Sequence, residues 1–125
     1  MGSNNDTMQR QARLFRMLMH PARIAILEAL RYDEACVCHL EAQLQARQAY
    51  LSQQLAVLRK AGLISDRRDG LNIFYRIAQP EVLTVLDAAR GVIGADRAPP
   101  PPPAGCSCPK CIPVDRFIPD PIALV

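Results

Sequence analysis

Several things are missing from this chain, and each absence closes off a class of function. No apolar stretch approaches the roughly 20 residues that a bilayer-crossing helix needs, so no membrane partner is expected. Nothing resembles a secretory signal, which together with the retained thiols points to a reducing cytoplasm. No serine or cysteine nucleophile stands with a matching base, and there is neither a phosphate loop nor a pair of carboxylates in a pocket-like context. An enzyme is therefore not expected. Internal repeats are absent as well. The net charge is only +3 over 125 residues, too mild to identify a partner by itself.

What is present is a set of five cysteines in two tight clusters. Cys36-Val37-Cys38 opens a helical stretch in the middle of the chain, and Cys106, Cys108 and Cys111 form C-x-C-x-x-C beyond the run Pro99–Pro103. An odd count with C-x-C spacing argues against a closed disulfide framework and for a thiolate site. Three sulfurs suit pyramidal arsenite or antimonite, and four suit tetrahedral cadmium or zinc, with lead a further thiophilic candidate. An iron–sulfur cluster, or a zinc knot confined to the tail, also fits such spacing. Two residues apart on a helix means about 200° around its axis. Cys36 and Cys38 can share an ion only if Cys36 precedes the helix or if binding unwinds the first turn. A helix N-terminus would also favour the thiolate form.

The chain divides by composition. Residues 1–7 are polar and expected to be disordered, residues 8–95 carry the folded domain, residues 96–105 are a proline-rich linker, and residues 106–125 are a cysteine-containing tail. The Pro99–Pro103 spacer reaches about 15 Å if extended, enough to return the tail to its own subunit or across a dimer. Helical periodicity predicts helices over 8–19, 21–31 with Ile24, Leu27 and Leu30 on one side, 37–44, 47–60 and 80–93. Leu51, Leu55 and Leu58 form a buried stripe on the fourth, and Gly62 is placed to terminate it. Between 63 and 77 the period becomes two, with Asp69-Gly70 as a hairpin turn.

Helix, helix, helix–turn–helix, hairpin, helix is the order of a winged helix-turn-helix, mainly α with one β-hairpin. Its second helix would enter the major groove of double-stranded DNA. With the leucine stripe inward, Gln48, Ala49, Ser52, Gln53 and Lys60 are left outward or on the flanks, and glutamine and serine can read base edges. Arg67 and Arg68 flank the hairpin tip and suit phosphate or the minor groove. Tyr50 either contacts phosphate or seals the core. The apolar face of 80–93 has too little of its own domain to cover it, which predicts a homodimer through the first and last helices.

Taken together, Cys36-Val37-Cys38-His39-Leu40, Arg47 through Leu55, Leu58 through Ile64, Arg67-Arg68-Asp69-Gly70 and Tyr75-Arg76-Ile77 resemble the ArsR/SmtB family of metal-responsive repressors. His20-Pro21-Ala22-Arg23 adds to the likeness, which covers about residues 8–95. The resemblance implies a dimeric repressor that leaves operator DNA when a metal or metalloid binds. It places Gln48, Tyr50, Ser52 and Gln53 on the DNA-contacting face and Cys36 and Cys38 in the inducer site. Two departures stand out: His39 replaces the aspartate usual after the cysteine pair, and the tail thiols lie outside the shared domain. Many members bind zinc between the terminal helices through histidine and carboxylates. Residues 80–95 contain no histidine, so that site is not expected here. Two other readings stay open. One is a thiol redox or persulfide sensor on the same scaffold, and the other is a metal carrier or scavenger.

Overall fold

The computed structural model describes residues 2–96. Cys106, Cys108, Cys111, the proline run and the tail expected at 106–125 lie outside the described residues. In chain order come α1 (Gly2–Leu18), α2 (Pro21–Ala29), β1 (Ala35–Cys36), α3 (Val37–Leu44), α4 (Gln48–Lys60), β2 (Ile64–Asp69), β3 (Asn72–Ile77) and α5 (Glu81–Ile93). The strands form one antiparallel sheet in the order β1-β3-β2.

Leucine spacing on α4 does what its period demands. Leu51, Leu55 and Leu58 are all buried against Ile26 and Leu27 of α2, Leu40 of α3 and Ile64 at the start of β2. Each such side chain is worth about 1.5–3 kcal/mol for leaving water, so α4 is held by its inner face. The helix ends in a Schellman arrangement: the Gly62 amide donates to Arg59 O and the Leu63 amide to Leu58 O, at 3.0 and 3.1 Å. Gly62 sits at φ +82, a conformation that costs a side-chain-bearing residue about 1–2 kcal/mol.

Four local expectations need correction. The first helix starts at Gly2, where a disordered segment 1–7 was expected. Polar composition reports exposure to water, not backbone conformation; the stretch holds no proline, and Asp6 and Arg10 pair at i,i+4. On α2 the core position is Ile26, fully buried, while Ile24 is exposed, and the helix ends at Ala29. The hairpin turn is Gly70-Leu71, one residue later than Asp69-Gly70, because Asp69 pairs with Asn72. Gly70 alone takes positive φ there, as a Gly-X turn requires. Strand β1 went unrecognised, since two residues carry no readable period.

Candidate nucleic-acid interface and thiol site

Helix α4 turns its polar residues outward, away from the leucine stripe. Gln48, Ala49, Tyr50, Ser52, Gln53 and Lys60 are all exposed. Tyr50 is 41% exposed, so it does not seal the core and stands with the polar residues facing outward. Gln54, one position on from Gln53, is the exception to outward polarity. It is 8% exposed, and its carboxamide oxygen accepts a 2.8 Å hydrogen bond from Arg23 Nε.

On the wing, Arg67 and Arg68 are neighbours in β2 with different surroundings. Arg67 Nε donates to Glu34 at 3.0 Å, a second guanidinium nitrogen pairs with the same carboxylate, and the guanidinium carbon lies 4.7 Å from the Phe74 ring centre. The Glu34 hydrogen bond, with its charge, raises the Arg67 pKa further. Arg68 is exposed, and no ion pair engages it among the described residues. Arg59 at the end of α4 pairs with Asp66 of β2 at 3.1 Å and so braces the hairpin against α4.

The thiol pair meets because Cys36 is not helical. It is the N-cap of α3, with φ −85 and ψ 168, and its sulfur accepts from the His39 amide at 3.4 Å. Of the two ways for Cys36 and Cys38 to converge, the chain takes the one in which Cys36 precedes the helix. The two sulfurs are 3.1 Å apart, about 1 Å beyond the roughly 2.05 Å of a disulfide bond, so they are close without being bonded. Cys36 is buried and Cys38 exposed, so the pair opens to solvent on one side. Among the described residues no group of three or more histidine, cysteine or carboxylate side chains is placed to hold a metal. His20 stands at the N-cap of α2 without capping it, and its Nδ1 is buried without a hydrogen-bond partner.

A second polar cluster fastens α5 to α2. Arg31 bonds Glu28 at 2.9 Å and Asp87 at 2.8 Å, and Arg90 pairs with both carboxylates. Burial alone would raise the Glu28 carboxyl, but the hydrogen bonds and charges of Arg31 and Arg90 outweigh it and hold the pKa below its ordinary value.

This architecture has counterparts. The model of the arsR family of bacterial regulatory proteins matches residues 20–66, from α2 into β2. The biofilm growth-associated repressor of Agrobacterium fabrum is 42% identical over 82 residues, covering 66% of this chain and 70% of that protein. The chain belongs to the ArsR/SmtB family. The arsenic resistance transcriptional regulator ArsR1 of Pseudomonas putida is 43% identical over 77 residues, 61% of this chain and 59% of its own length. Among solved structures, Rv0081 of Mycobacterium tuberculosis superimposes with a TM-score of 0.64 at 40% identity, over 70% of this chain and 89% of the other. As an ArsR/SmtB protein the chain is a DNA-binding transcriptional regulator. No helix among the described residues is long and apolar enough to cross a membrane.

Proposed function

We propose that this ArsR/SmtB protein is a homodimeric transcriptional repressor that releases its operator when a thiophilic metal or metalloid is held by Cys36 and Cys38 together with tail cysteines. The observation that carries the reading is the convergence of the two sulfurs, 3.1 Å apart at the N-cap of α3, the helix immediately before the reading helix. Soft thiolates select arsenite, antimonite, cadmium, lead or zinc over magnesium and calcium. Two sulfurs do not complete a three- or four-sulfur shell, and Cys106, Cys108 and Cys111 are the remaining thiols of the chain. DNA would be met by Gln48, Tyr50, Ser52 and Gln53 of α4, with Arg67 and Arg68 of the wing on the backbone. In support, all four α4 residues face outward while the leucines of the same helix are buried.

The decisive experiment is an anaerobic titration of arsenite, antimonite, cadmium, lead and zinc into the full chain bound to a labelled duplex from upstream of its own gene. Thiolate charge-transfer absorption and DNA release should rise together, and deleting residues 104–125 should strongly weaken the affinity for the ion. Absorption without release would make the chain a metal carrier.

The short sulfur–sulfur distance also favours a second reading, a thiol redox or persulfide sensor, since only a small movement separates the pair from a disulfide. Release by oxidant in the presence of chelator, with no response to any of the five ions, would select it.

A further inference from the structure

Arg23 occupies a position that helix electrostatics does not favour. It lies in the first turn of α2, where the helix dipole opposes a cation, and no acidic residue stands in that turn to offset it. Its contacts explain the placement. Nε donates to the Gln54 carboxamide oxygen at 2.8 Å, and a terminal nitrogen donates at 3.3 Å to the carbonyl oxygen of Met17, in the last turn of α1. That carbonyl lacks an intrahelical partner by position, and the C-terminal end of a helix attracts a cation. The same nitrogen lies 3.5 Å from the Met17 sulfur. One guanidinium therefore joins α1, α2 and α4.

Among the described residues Gln54 is the buried polar residue of the core, set in α4 between the buried Leu51 and Leu58. A polar group buried there is costly without its partner, so Gln54 and Arg23 require one another. Gln54 is displaced by about 100° from Gln53 and about 200° from Ser52 around the α4 axis. Clamping Gln54 to Arg23 therefore sets the rotation at which Ser52 and Gln53 face outward. Leucines alone define a face only loosely, because packed aliphatic side chains tolerate shifts that a directional hydrogen bond does not.

We infer that Arg23 and Gln54 are positioning residues for sequence reading: Arg23 ties the inward face of α4 to the end of α1, and so fixes the angle at which Ser52 and Gln53 meet the base edges. The inference rests on α4 being the DNA-reading helix. It adds that discrimination between sequences depends on two residues that touch no DNA. Phosphate contacts tolerate small rotations of α4, whereas base-edge hydrogen bonds do not.

The test uses the full chain, a labelled duplex from upstream of its own gene and a random duplex of equal length. Gln54→Leu keeps the volume but removes the acceptor, Gln54→Glu keeps an acceptor for Arg23, and the pair Arg23→Met/Gln54→Leu removes both polar groups together. The double variant should unfold at a temperature close to native. Its affinity for the upstream duplex should nevertheless fall about tenfold, with the random duplex within about twofold. Gln54→Glu should retain most of the native discrimination. If the double variant folds and discriminates like the native chain, the clamp contributes only stability and the inference is overturned. Equal losses on both duplexes overturn it too. A native chain with no preference between the duplexes overturns the assignment of α4 as a reading helix and this inference with it, an outcome visible before any variant is made.

Discussion

Cys36 stands directly opposite Phe74 across the β1–β3 ladder, and on the other side of β3 Phe74 stands opposite Arg67. Directly paired residues share a face of the sheet, so the buried thiol, the buried ring and the wing guanidinium form one row. Arg67 closes the row by stacking on Phe74 and pairing with Glu34, two residues before Cys36. Any shift of Cys36 on ligand binding therefore acts on a strand hydrogen-bonded to the wing, as well as on α3.

Under the proposed function, Glu34 and DNA phosphate would compete for Arg67. Glu34→Gln should loosen the pair and make the guanidinium available to the backbone. The expected result is tighter binding to both specific and random DNA at low salt, with the slope of log affinity against log salt steeper by up to about 1. Arg68→Ala should do the opposite. Fluorescence anisotropy over a salt series measures both, and weaker binding by Glu34→Gln would mean the pair holds the wing in its DNA-binding form.

Cys36→Ser and Cys38→Ser should separate sensing from folding. Serine is a good N-cap, so Cys36→Ser should leave thermal stability unchanged or raised by about 0.5 kcal/mol. Hydroxyl is a poor ligand for soft ions, so each variant should bind upstream DNA within about twofold of native yet lose release by arsenite or cadmium. A serine variant that still responds would remove that cysteine from the site.

The α2–α5 cluster gives stability a defined pH dependence. Glu28 has a folded pKa below its ordinary 4.5, so its contribution is present above that value and is lost as pH falls through the lowered one. Glu28→Gln should cost about 1 kcal/mol near pH 7, allowing for the partial exposure of the cluster. The gap to native should narrow as pH falls below 4.5 and close once pH has passed the lowered folded value. Urea unfolding across this range checks this, and a gap that persists in acid would mean Glu28 acts by packing.

Phe15, Met19 and Ile24 are exposed and line an open apolar groove of about 610 Å³ with Val85, Leu86 and Ala89 of α5. A second copy is the expected cover. Phe15→Asp should yield a monomer at micromolar concentration with operator affinity reduced at least tenfold, because one reading helix then engages one half-site. Sedimentation velocity decides it: a dimer that survives the substitution places the subunit contact elsewhere.

Local chemistry made much of this fold legible in advance. A leucine stripe at i, i+4 and i+7, a glycine to end the helix and a change of period at residue 63 determine α4, its inner face and the hairpin, since each depends on neighbours in sequence. The outward position of Gln48, Ser52 and Gln53 follows from the same stripe. Tertiary structure decided the rest. Ile26 rather than Ile24 enters the core because the angle at which α2 packs selects between two apolar positions that periodicity treats alike. Nothing in the local pattern marks Gln54 for burial; Arg23, 31 residues earlier, supplies the hydrogen bond that lets it be buried. The two thiols meet because β1 pairs with β3 and keeps Cys36 extended just before α3 begins; spacing left that choice open, and only a strand partner distant in sequence could make it.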